Sequence, residues 1–350
     1  MADDGELVPS SAMTTAEMAA AVDAAVHHRA SRRDQLATLY AVLRANPLTL
    51  IGFILVAIIC VTGLLVWIVP LVTGLVGHPT TIVPYSIIIP SGAKYLGPTW
   101  SHPFGTDEAG RDVFSRVLAA TPIDLSIGLS ITLFSLAVGG ILGLIAGFWD
   151  TPGTAGGVVS VVILRVTDIF LAFPSLVLAL AIAEVLGRGF TVVLFAIAAT
   201  WWPFYVRLVR GEVLAVKGAP YIVAAKAAGL SDRRILTRHI IRNITEPLIV
   251  YYTLDVGSVL ITFSTITFLG IGFTPGTAEW GSMISSYQAD LAFDAWPTLF
   301  TALAVFVTVL AFSLLGDGLR DILDPRSRRA LAVTAASAGE IGRAPSGAPT

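Results

Sequence analysis

The sequence predicts an all-α integral membrane protein with about six transmembrane helices and both termini in the cytoplasm. Composition is the first reason: 55% of the 350 residues are hydrophobic and only 13% are charged, at a mean hydropathy of +0.79. Soluble domains carry roughly 25% charged residues, and a chain of this length has no aqueous core large enough to hide so much apolar surface. The second reason is the recurrence of apolar runs near the ~20 residues needed to cross a bilayer. The third is the side of those runs on which Lys and Arg collect.

Residues 1–47 are polar and alanine-rich, with Thr14-x-x-Glu17 as a possible capping box and Asn46-Pro47 as a stop; they read as a cytoplasmic arm. The start, Met1 to Glu6, is acidic and lacks a signal-peptide pattern, so the first span is expected to act as an uncleaved signal. That span is residues 48–72, without a charge. Residues 73–122 form a long extracytoplasmic loop in which Gly105-Thr106-Asp107-Glu108 has helix-start chemistry, and a short helix through Arg111 and Arg116 is expected. Residues 123–318 are the membrane core. Its second span is 125–148, flanked by Asp124 and Asp150, and its last is 295–316, between Asp294 and Asp317. Three spans are less clean: 163–185 holds Arg165, Asp168 and Glu184 with a kink expected at Pro174, 191–208 follows the turn at Gly187-Arg188-Gly189, and 247–271 contains Asp255. The tail, 319–350, is rich in small residues and expected to be cytoplasmic and disordered.

Orientation follows from the basic residues. With the N-terminus inside, 17 of the 22 Lys and Arg fall in the arm, in the loop 207–246 and in the tail, and the reverse orientation inverts this bias. The loop 207–246 is too long for a simple turn. It reads as two short helices, the first about 220–228 and closed by Gly229 in the left-handed conformation, the second capped by Ser231 and running to about Asn243. The first exposes Ala224, Ala225, Ala227 and Ala228, small side chains that allow another protein to approach. The second places Arg234, Arg238 and Arg242 on one face with Ile235, Leu236, Ile240 and Ile241 off it. From spacing alone, a basic helix touching anionic lipid headgroups is an equal reading.

Residues 220–243, PYIVAAKAAGLSDRRILTRHIIRN, resemble the inner loop of ABC importer permeases, whose pattern is Glu-Ala-Ala, three residues, then Gly. Ala224, Ala225 and Gly229 stand in register; Val223 replaces the usual Glu, and Arg242 stands near the usual Pro. Further blocks at 102–118, 165–183, 207–217, 268–284 and 314–326 resemble the dipeptide/oligopeptide/nickel branch, second-subunit type, in order across about 48–326. The resemblance implies a type I importer fold in the plasma membrane of a prokaryote. It implies a second permease as heterodimer partner, two cytoplasmic ABC ATPases that bind ATP and Mg, and an extracytoplasmic substrate-binding protein. It also makes the inner-loop helix the element that docks on the ATPase, with Ala224, Ala225, Gly229, Arg234 and Arg238 as coupling residues. Di- or oligopeptides are the cargo it implies, with nickel or oligosaccharides as the alternative. Neither a GxxxxGK[ST] loop nor a Gly-Lys dipeptide occurs in the chain, so ATP is expected in another subunit and no cofactor in this one.

Within the membrane, Asp255, Ser258, Thr262 and Thr265 are spaced to form one polar stripe. Such a stripe lines a pathway or serves helix–helix hydrogen bonding. Arg165 and Asp168 are spaced to pair at a boundary, and Asp107, Glu108, Arg111 and Asp112 either cap a surface helix or meet the binding protein. Paired acids, HExxH and a Ser/Lys dyad at one depth are not found, so an intramembrane enzyme is disfavoured. The five histidines and Cys60 lack a metal spacing, and no nucleic-acid partner is implied. A passive channel does not require the inner loop.

Overall fold

The computed structural model describes residues 46–75, 83–86, 88–187, 189–274 and 276–323. The arm with its Thr14–Glu17 box, Arg188 and the tail residues from 324 onward lie outside them. The described elements are α1 (Pro47–Leu75), α2 (Val113–Phe148), α3 (Ala155–Leu171), α4 (Ser175–Leu186), α5 (Phe190–Lys217) and α6 (Pro220–Ala227). They continue with α7 (Asp232–Phe268), α8 (Trp280–Tyr287) and α9 (Trp296–Leu323). Five of these helices are long and apolar enough to cross a membrane, six if α3 and α4 count as one broken span.

The most extensive packing is that of α2 on α5. Its cause is a run of glycines on one face of α2, Gly139, Gly143 and Gly147. A Cβ at Gly139 would fall 2.6 Å from Tyr205 Cβ, one at Gly143 2.7 Å from the Val206 carbonyl oxygen, and one at Gly147 2.8 Å from Val213 Cβ. In lipid, helices associate through such close contact rather than by escape from water. Above the seam, Ile127 and Ile131 of α2 meet Val193, Ile197 and Ala198 of α5 and Val259, Phe263 and Ile266 of α7 in a fully packed core. α9 bridges α7 and α1: Gly316 lies against Leu254 of α7, Gly52 of α1 against Leu314, and Gly318 against Thr49.

Helix bounds differ from the apolar runs in an instructive way. The expected short helix through Arg111 and Arg116 and the expected span 125–148 are one helix, α2, which puts Arg116 and Asp124 inside it and fully or nearly fully buried. Asp112 starts it by accepting the Ser115 N–H at 2.7 Å. Pro174 does more than kink its span: α3 and α4 meet at 83°, with Pro174 at the N-cap of α4. Proline lacks the N–H and restricts the residue before it, so the chain leaves the helix there. At the other end of the bundle α5 extends to Lys217, and the second loop helix is not separate. It continues through a π turn, Leu236–Ile240, into the fifth span as α7, with Pro247 in its interior rather than at its start.

Candidate coupling and pathway site

The loop between α5 and α7 is built around α6. Proline at its first helical position, Pro220, has a φ suited to a helix and needs no N–H partner. The helix closes at Gly229, where φ is +77°, the Gly229 N–H bonds the Lys226 carbonyl at 2.9 Å and the Leu230 N–H bonds the Ala225 carbonyl at 3.1 Å. This pair of bonds satisfies the last carbonyls of the helix.

One side of α6 is anchored. Ile222 is fully buried among Phe148 of α2, Val209 and Val213 of α5, and Ile235, Ile240 and Ile244 of α7. Lys217 reinforces the anchor by donating to the Phe148 carbonyl at 2.6 Å and the Gly147 carbonyl at 3.3 Å, which neutralises the negative end of α2. Lys217 and Lys226 also lie over the Phe148 ring, 5.9 and 5.7 Å from its centroid. Nearby, Arg210 of α5 binds Asp150 at 2.7 Å. The other side is open: Val223, Ala224, Ala227, Ala228 and Gly229 are exposed and Ala225 is half-buried. A Cβ added to Gly229 would meet nothing within 4 Å. The result is a fixed helix with a small-residue surface directed out of the subunit.

Arg234, Arg238 and Arg242 are all exposed, but the π turn lies between the first and the last, so they do not keep the register of an uninterrupted α-helix. Ser231 has the extended N-cap conformation, yet its side chain makes no capping bond; its carbonyl accepts from the Arg234 and Ile235 N–H groups instead.

The polar stripe on α7 divides into two environments. Asp255 turns toward α5 and accepts from Trp201 Nε1 at 2.7 Å and Tyr205 Oη at 2.8 Å. Ser258 is exposed, and Thr262 and Thr265 are half-buried with hydroxyls bonded back to the Ser258 and Ile261 carbonyls at 3.0 and 2.8 Å. Sequence reasoning placed the acid but missed its two partners. The available signal was Trp201 and Tyr205 at i, i+4: aromatic side chains with polar tips in an apolar helix require acceptors. Asp168 likewise finds its better partner across helices, Arg207 of α5 at 2.7 Å, while Arg165 stands 4.0 Å away.

The cluster expected outside is a clasp. Asp107 is fully buried and accepts from the Ala109 and Arg111 N–H groups at 2.9 Å and from Arg111 Nε at 2.8 Å. Glu108 reaches Arg111 at 3.3 Å, and Asp112 both caps α2 and meets His102 Nδ1 at 2.8 Å. Arg116 Nε donates to Tyr287 Oη at 3.1 Å, tying α2 to α8. Burial raises the Tyr287 hydroxyl above its ordinary titration range.

A membrane bundle that exposes a rigid short helix between two spans has the form of a transporter's membrane subunit. Residues 139–329 match the family described as "Binding-protein-dependent transport system inner membrane component", and the chain belongs to it. It is a multi-pass permease subunit of a binding-protein-dependent ABC importer. The chain is 39% identical over 230 residues to the "Glutathione transport system permease protein GsiD" of Pectobacterium atrosepticum, covering 66% of this chain and 74% of that one. The protein of the same name from Escherichia coli is 42% identical over 234 residues, with the same coverage. A solved amino acid ABC transporter chain is 18% identical, with a TM-score of 0.43 over 60% of this chain and 94% of its own; that likeness carries no weight in the assignment.

Proposed function

We propose that this permease forms half of a translocation pathway for di- or oligopeptides, beside a related second permease. We further propose that a separate cytoplasmic ATPase drives it through α6. The observation that carries the reading is the geometry of α6: Ile222 is locked into a core shared by α2, α5 and α7, while Ala224 and Gly229 are exposed and Ala225 is half-buried at their edge. A force applied to the small-residue face therefore reaches three helices at once. One of them, α7, also carries the proposed pathway residues. Ser258, Thr262 and Thr265 form the open part of the stripe, and Asp255 holds α7 to α5 beside them.

Peptide-type cargo is supported by the relatives named as glutathione permeases and by the sequence blocks resembling the dipeptide/oligopeptide branch. Nickel and oligosaccharides are the competing cargoes. In proteoliposomes containing the chain with its co-purified ATPases, second permease and binding protein, Ala225→Glu should leave insertion and assembly intact. It should abolish ATP-dependent uptake of labelled short peptides. Unchanged uptake in this variant refutes the role of α6. ATP-driven uptake of nickel or an oligosaccharide without peptide uptake refutes the cargo while leaving that role standing.

A further inference from the structure

On the flank of the bundle, α2 and α7 leave an apolar groove of about 430 Å³ between them. Leu136, Gly140 and Leu144 of α2 form one wall, Thr245, Leu248 and Tyr252 of α7 the other, and fully buried Val209 of α5 the floor. The lining runs from Leu133 to Leu144 on α2 and from Ile241 to Tyr252 on α7. At 1.5 Å per residue each stretch is ~17 Å long, close to the ~15 Å that one leaflet contributes to a hydrocarbon core of ~30 Å. Tyr252 closes the end away from α6, where its hydroxyl donates to the Leu129 carbonyl of α2 at 3.4 Å. Gly140 keeps the middle open: a Cβ there would meet only Leu136 Cδ1, at 4.0 Å.

The other end of the groove is basic. Arg242 shares a helix row with Thr245, Ile249 and Tyr252, so it stands just beyond the lining. Arg238 follows one turn further, within the π turn. Both arginines are exposed, and among the described residues neither makes an ion pair. The acid one turn from Arg242, Glu246, opens instead onto a separate cavity with Glu212, Asn243 and Arg320. An apolar trough of single-leaflet length therefore ends at two uncompensated cations. A phospholipid answers both features in one molecule: the trough takes an acyl chain, and guanidinium groups bind phosphate through paired, charge-assisted hydrogen bonds. A protein helix in the same place would have to bring its own acids to the level of the arginines.

We propose that this groove binds an anionic glycerophospholipid: one acyl chain lies between α2 and α7, and the phosphate rests on Arg242 and Arg238. The leaflet is the cytoplasmic one under the reading of α6 given above, whereas the site itself follows from the groove and the two arginines. Spacing alone left headgroup contact and protein docking equal for the arginine face; the adjoining groove assigns Arg238 and Arg242 to lipid. A bound lipid fills the gap between α2 and α7 and holds the π turn, where the loop helix enters its span, at the membrane surface. A zwitterionic lipid would fit the same trough but bring its own cation toward the arginines, so the site prefers a headgroup of net negative charge.

The test uses the full chain with its co-purifying subunits in phosphatidylcholine nanodiscs. These carry a small fraction of either phosphatidylglycerol or phosphatidylcholine with a photoactivatable diazirine on the acyl chain. Irradiation should attach the phosphatidylglycerol probe to peptides 133–144 and 241–252, and the phosphatidylcholine probe much less. In native mass spectrometry, Arg238→Gln/Arg242→Gln should bind phosphatidylglycerol roughly 30-fold more weakly, as expected for two arginines at an anionic surface. Ala137→Phe places a ring in the groove from an exposed position and leaves the arginines intact; it should abolish the labelling. If the arginine variant does not assemble, the wild-type labelling map decides, with unlabelled phosphatidylglycerol expected to compete and glycerol 3-phosphate not. Labelling confined to other segments, equal labelling by the two probes, or unchanged phosphatidylglycerol binding in the arginine variant overturns the proposal. So does photo-crosslinking of p-benzoylphenylalanine at position 137 to the second permease, which would show a protein helix in the groove.

Discussion

Asp255 shows how much of a residue's role lies in its partners. Trp201 and Tyr205 spend their polar tips on it, and all three sit in an apolar bundle. Asp255→Ala leaves both donors unpaired, at about 1–3 kcal/mol for each buried group. It should lower the melting temperature of the detergent-solubilised permease, whereas Tyr205→Phe, which removes one bond only, should cost about 1 kcal/mol. Thr262→Val is expected to leave melting unchanged, because its hydroxyl bonds only its own helix. A transport defect in Thr262→Val without a melting change is the result expected of a pathway residue. The acid itself was legible as a charge in an apolar run. Its partners were not, because one-dimensional spacing gives the face of a helix and not the identity of the helix it meets.

At the level of the element, the seam between α2 and α5 offers a sharp contrast. Gly143 faces the Val206 carbonyl at a distance that excludes a methyl group, while neighbouring Gly140 has only Leu136 Cδ1 at 4.0 Å. Gly143→Ala should therefore destabilise by about 1–3 kcal/mol through overpacking. Gly140→Ala should be neutral or slightly stabilising in a helix interior, by about 0.5–1 kcal/mol. Thermal unfolding of the two variants in the same detergent decides this, and equal melting temperatures would deny the seam its role. The i, i+4 spacing of Gly139, Gly143 and Gly147 puts them on one helix face, but only the packed structure shows that this face meets α5. The extent of α2 was not, since a hydropathy window stops at Asp124 whereas the helix continues to a cap at Asp112. α6 was read closely, because proline at its start and glycine after its end act locally. The π turn that fuses the second loop helix to α7 has no such local marker.

For the molecule as a whole, the two ends of the bundle differ in what they carry. One end carries α6 and the exposed arginines, and the other carries the clasp of Asp107, Arg111, Arg116 and Tyr287. Cysteine labelling tests this polarity. In a Cys60→Ser background, a membrane-impermeant thiol reagent added to intact cells should label Ser101→Cys and spare Ala228→Cys, with the reverse in inside-out vesicles. Labelling of Ala228→Cys from outside the cell would exclude docking of α6 on a cytoplasmic ATPase. Large apolar residues remain exposed along α1, α3, α4 and α9, among them Phe53, Val162, Val177 and Phe306, as suits helices solvated by lipid.

The sequence by itself determined the solvent, the approximate number of crossings, the bias of basic charge and the existence of a capped short helix between two spans. These depend on composition and on residues within a turn of one another. Tertiary structure decided that Pro174 is a break, that α2 continues through two buried ionisable residues, that Asp255 belongs with Trp201 and Tyr205, and that Asp124 accepts from the Trp280 N–H of α8. The last three rest on partners far away in the chain. A charge can enter an apolar bundle only where another helix satisfies it, and that helix is chosen by packing.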